Sequence, residues 1–77
     1  MNDARRKELA KATALIEEAK SIVEQCQSDE QEGFDNMTDG LQQSEKGQRI
    51  EEAANELQAA MDSLESAFDS IENATAS

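Results

Sequence analysis

From Ile50 onward the chain divides into four successive sevens, IEEAANE, LQAAMDS, LESAFDS and IENATAS, each opened by a large apolar residue. Labelling the first position a places Ile50, Leu57, Leu64 and Ile71 there, with Ala53, Ala60, Ala67 and Ala74 three residues later at d. Position e carries Ala54, Met61, Phe68 and Thr75. A period of seven held over four repeats lines one side of an α-helix and does not suit a strand, whose side chains alternate with a period of two. The first half carries a related pattern: counted from Leu9, position a holds Leu9, Ile16 and Val23, and d holds Ala12, Ala19 and Cys26. Leu15 and Ile22 at g widen that stripe. Beyond Cys26 the same count lands on Glu30 and Gly33, and the pattern fades.

These repeats predict an all-α chain: one helical-hairpin domain over 1–77, with helix one over about 3–32, a connecting corner over about 33–43, and helix two over about 44–74. Thirty helical residues span ~45 Å. A bulky a with a small d suits close antiparallel packing. The apolar g and e flanks then require a second layer, which a homodimer would supply as a four-helix bundle. The expected core and dimer residues are Leu9, Leu15, Ile16, Ile22, Val23, Ile50, Leu57, Met61, Leu64, Phe68 and Ile71. Charge favours the same arrangement. Residues 1–20 hold five bases and four acids, whereas residues 21–77 hold two bases and fourteen acids. Antiparallel packing sets the basic start beside Glu65, Asp69 and Glu72, although exposed pairs contribute only ~0–1 kcal/mol each.

Composition explains why association is expected. Hydrophobic residues make up 36% of the 77, and twelve of them are alanines. A single core of this size supplies only ~3–5 kcal/mol. One cysteine precludes an internal disulfide, and with no histidine a structural zinc site has too few ligands. A formal net charge of −11 opposes direct nucleic-acid binding and attachment to an anionic membrane. No apolar run reaches the ~20 residues of a membrane span, and the start MNDARRKELA lacks the apolar stretch of a signal peptide. The cytoplasm is the expected location, where the sequons at Asn36 and Asn73 carry no meaning.

Candidate chemistry concentrates in the corner EGFDNMTDGLQQSEKG, residues 32–47. Asp35, Asp39 and Gly40 imitate the start of a calcium loop, but Met37 takes a ligand position and Lys46 stands where glutamate is required. A turn is the simpler reading, with Gly40 free to adopt positive φ. Ser44 is a good N-cap for helix two, while Gly47 weakens its first turn by ~1 kcal/mol. Phe34, Met37 and Leu41 share one helical face and are expected to close the core. Alternatively, with Asp35, Asp39 and Glu45 they form an exposed partner-binding surface. Cys26 reads as a small apolar residue in acidic surroundings, which do not favour a reactive thiolate. Without histidine there is no Ser–His or Cys–His pair, and no glycine-rich phosphate loop occurs. The chain is therefore read as a non-enzyme, with no catalytic, cofactor-binding or metal residues and no cofactor.

The ordered segments RRKELAKA, DEQEGFDNM, LQQSEKG and IEEAANELQAAMDSLESA resemble a family of small uncharacterised phage and prophage helical proteins. The shared central pattern is carried by Glu30, Glu32, Phe34, Asp35, Asn36, Leu41, Gln42, Ser44, Glu45 and Gly47. Where such relatives often read N-L-P-E, this chain has Asn36-Met37-Thr38-Asp39, without the proline. The resemblance implies a phage or prophage origin, residence in a bacterial host cell and no particular activity. The leading expectation is a protein–protein interaction module that binds a host or phage protein. Two alternatives stand beside it. One is an acidic nucleic-acid mimic inhibiting a host defence nuclease of the anti-CRISPR or anti-restriction type, with Glu51, Glu65 and Glu72 or Glu52, Glu56 and Asp62 in phosphate-like rows. The other is a purely structural oligomer.

Overall fold

The computed structural model describes residues 1–77 and is all-helical: α1 spans Asp3–Asp35, α2 spans Asp39–Gln42 and α3 spans Glu45–Thr75. The molecule is elongated, 57 × 15 × 13 Å. No helix is long and apolar enough to cross a membrane. Each helix begins at a side chain that accepts one of the backbone N–H groups left free by a helix start. Asn2 Oδ1 accepts from Arg5 N at 2.8 Å, and Thr38 Oγ1 from Leu41 N at 3.4 Å. Ser44 Oγ accepts from Gly47 N at 3.1 Å. Asp3, Asp39 and Glu45 then occupy the first turns, where a negative charge meets the positive end of the helix dipole.

α1 continues three residues past the end expected from the fading repeat. A Cβ added at Gly33 would meet nothing within 4 Å, and the glycine does not break the helix. The extension is stabilised by its last turn: Phe34 is half-buried, and its carbonyl accepts from Met37 N and from Gln42 Nε2, each at 3.0 Å. The corner itself differs from the expected turn. Gly40 lies within the short helix α2, and no residue of the chain has positive φ.

α1 and α3 lie alongside one another with opposed directions. Near the start of α1, Arg6 Nε donates to the carbonyl of Thr75 at 3.1 Å, and midway along it Lys20 Nζ stands 3.7 Å from Glu65 Oε2. Arg6 also donates to the carbonyl of Ser77 at 3.0 Å. It thus serves carbonyls at the α3 terminus, and the expected pairing with Asp69 or Glu72 is replaced by this contact.

Burial defines the seam between the long helices. On α3 the seam runs through Gly47, Ile50, Ala54, Leu57, Met61, Leu64, Phe68, Ile71 and Thr75, separated alternately by three and four positions, with Glu51 and Ala60 half-buried beside it. On α1 the corresponding series is Arg6, Leu9, Thr13, Ile16, Lys20, Val23 and Gln27, with Phe34 closing it at the far end. The expected d residues are therefore not the inner contact: Ala53, Ala67, Ala74 and Cys26 are exposed, while Ala12, Ala19 and Ala60 are half-buried at the seam's edge. Met61 and Phe68, expected to flank the seam, lie in it. The physical reason is size. Ala54 at 0% exposure and Gly47 let the backbones approach, and the larger Met61 and Phe68 fill space that a row of alanines would leave empty.

Candidate functional site

The corner is held by a dense set of local hydrogen bonds. Ser44 Oγ donates to the Leu41 carbonyl at 2.5 Å, and Gln48 Nε2 donates to the Gln42 carbonyl at 2.9 Å. Arg49 pairs with Glu45 one turn along α3. Gly47 is the residue that permits this arrangement. A Cβ at that position would sit 2.3 Å from the Leu41 carbonyl oxygen and 2.7 Å from that of Gln42. The first turn of α3 can approach the carbonyl end of α2 only because no side chain intervenes. Sequence reasoning recorded Gly47 as a loss of helix propensity and missed this role. Its signal was a glycine at the third position after a strong N-cap, inside the first turn of the helix.

The six corner residues expected to bind a partner divide on the structure. Phe34 and Met37 are half-buried and belong to the closed end of the helix pair. Leu41 is 54% exposed, so it does not plug the core together with them. Asp35, Asp39 and Glu45 are exposed on the same corner. One large apolar side chain thus stands at the tip among acids, on a segment held by the Thr38 and Ser44 caps and the close approach at Gly47.

The acidic rows also separate. Glu51, Glu65 and Glu72 each follow a seam residue by one position and line one side of the helix pair, where Glu65 engages Lys20. Glu52 and Glu56 are one turn apart on an exposed surface, but Asp62 lies around the helix from them, so those three do not form one row. At the terminal end, a shallow groove of about 280 Å³ is lined by Arg6, Leu9, Ala10, Thr13, Glu72 and Thr75. Its buried Thr13 hydroxyl donates to the Ala10 carbonyl at 3.0 Å. No group of three or more His, Cys, Asp or Glu side chains converges. Cys26, expected at an inner position, faces solvent.

Two further apolar residues stand outside the seam. Leu15 is 65% and Ile22 60% exposed, and the spacing of seven places them two turns apart on one side of α1. Comparison with protein-family models, curated proteins and solved structures finds no match to this chain.

Proposed function

We propose that this chain is a non-enzymatic protein–protein interaction module of phage or prophage origin. In this reading it is a helical hairpin with seven-residue packing that dimerises into a four-helix bundle and binds a host or phage protein in the bacterial cytoplasm. The observation that carries the reading is Leu41, 54% exposed at the tip of the molecule and presented by a corner tied by hydrogen bonds of Ser44. An exposed apolar side chain on a hydrogen-bonded corner is covered at low conformational cost, which suits it to anchor a partner. The phage or prophage origin is supported by the resemblance of the central segment.

The test is affinity capture from host lysate with mass spectrometry, using the wild-type chain and Leu41→Asp in parallel at low and high salt. A partner retained by the wild type at both salt concentrations and lost with Leu41→Asp supports the corner as the binding site. A partner that instead dissociates steeply with salt and competes with DNA indicates acidic mimicry, for which the net charge of −11 is the supporting observation. Capture of no partner by either chain indicates the structural oligomer.

A further inference from the structure

Leu15 and Ile22 each precede a seam residue of α1, Ile16 and Val23, by one position; Ala12, Ala19 and Cys26 likewise precede Thr13, Lys20 and Gln27. On α3 the same offset holds for Ala53, Ala60, Ala67 and Ala74, which precede Ala54, Met61, Phe68 and Thr75. One position is a rotation of about 100° in a fixed sense about the helix axis. Because the two axes are opposed, these rotations carry both sets to the same side of the pair. Residues that follow the seam residues, such as Glu17, Glu24, Glu51, Gln58, Glu65 and Glu72, fall on the other side, where Lys20 meets Glu65. The helix pair therefore has one face rich in acids and one face of Leu, Ile and small residues, interrupted by Arg5, Glu8, Lys46, Arg49 and Glu56, which share the same offset.

We infer that this second face is the interface between two copies of the chain, with α1 of each copy lying on α3 of the other. This rests on the dimer proposed above and assigns its surface and its pairing. Area gives the first argument. The chain exposes 5450 Å² for a mass of 8.4 kDa. A folded monomer of that mass exposes ~4600 Å². The surplus follows from the elongated shape, 57 × 15 × 13 Å, whose long faces are of the ~800 Å² size that each partner covers in a stable interface. Shape gives the second argument. Arg6 beside Thr75 and Lys20 beside Glu65 set Leu15 near the level of Ala67 and Ile22 near that of Ala60. A two-fold axis parallel to the helices preserves those levels, so each large residue of α1 meets the groove over the partner's alanines. The same levels decide between the two possible pairings. Stacking α1 on α1 would also stack α3 on α3 and set the alanines of the two α3 helices against one another, whereas stacking α1 on α3 gives each exposed Leu15 and Ile22 a partner alanine.

Light scattering at tens of micromolar is expected to give twice the 8.4 kDa chain mass. Leu15→Asp should weaken the dimer on the order of a hundredfold or more, because two leucines leave the interface. Gln58→Glu, which adds the same charge on the opposite face, should leave the mass unchanged. A pairing test does not depend on the fold tolerating Leu15→Asp. Chains carrying Cys26→Ser with Ile22→Cys are refolded together with chains carrying Cys26→Ser with Ala60→Cys, then oxidised. The expected product is a disulfide between one chain of each kind, with neither kind cross-linking to itself. A wild-type mass of one chain would overturn the dimer and the inference with it. A double mass accompanied by self-cross-linking of either kind, or by no cross-link, would overturn this pairing and leave the dimer standing. A double mass that survives Leu15→Asp would place the interface on another surface.

Discussion

α1 and α3 are nearly equal in length, 33 and 31 residues, yet they distribute their apolar side chains differently. The α3 seam is apolar almost throughout, from Ile50 through Met61 and Phe68 to Ile71. The α1 seam alternates Leu9, Ile16 and Val23 with Thr13, Lys20 and Gln27, while Leu15 and Ile22 remain outside. α3 concentrates its hydrophobic surface on one neighbour, whereas α1 divides it between two directions. The consequence is a weak single-chain core. No large side chain is fully buried, and the only buried hydrophobic residues are Ala54 and Met61.

The largest expected contrast between the helices follows from this division. Met61→Ala removes the one large buried side chain and should destabilise the chain by about 2–3 kcal/mol, toward the lower end for such truncations because the seam is open on both sides. Leu15→Ala should change stability by less than about 0.5 kcal/mol in dilute solution, where a residue exposed on a helix has little to lose. Urea unfolding followed by circular dichroism at low and at high protein concentration checks both. If Leu15→Ala were as damaging as Met61→Ala in dilute solution, the division between inner and outer residues would be wrong.

The two glycines inside the long helices provide a second contrast, with opposite signs. Gly47→Ala should destabilise by about 2 kcal/mol, since the added methyl meets backbone carbonyls that cannot move without shifting α2. Gly33→Ala, in open space, should stabilise by about 0.5–1 kcal/mol through helix propensity and a less flexible unfolded chain. Thermal melts of the two variants beside the wild type read both signs.

A smaller effect tests the polar half of the α1 seam. Lys20 is 32% exposed and its contact with Glu65 is long, so the pair contributes little. Lys20→Leu would bury apolar area in its place and should raise stability by about 0.5–1 kcal/mol. A loss of stability would show that Lys20 holds the register of the two helices and is more than a tolerated polar residue. The same urea titration decides it.

Much of the local structure is legible in the residues. The repeat from Ile50 marks a long helix, Ser44 marks its start, and the split of charge marks which ends lie together. The inner face is less legible, because each long helix offers three apolar positions per repeat where two suffice for one neighbour. On α3 the candidates were the alanines at d and the mixed residues at e, and a row of identical alanines is the more regular pattern. Packing selected the less regular one: Ala54 and Met61 are buried and Phe68 half-buried, while Ala53 and Ala67 are exposed. The corner was misjudged for a similar reason. Phe34, Met37 and Leu41 share a helical face only if one helix carries all three, and the chain leaves α1 after Asp35 and turns before Leu41 enters α2.

Residue order alone sufficed for the helical class, the Ser44 cap and the acidic surface, because these depend on interactions within a few positions of the chain. Which stripe faces inward, why Gly47 must lack a side chain, and that Leu15 and Ile22 share a face with the α3 alanines were decided only by the tertiary structure. Those properties depend on the distance and relative rotation of two helices, and residues far apart in the chain meet only once the helices have docked.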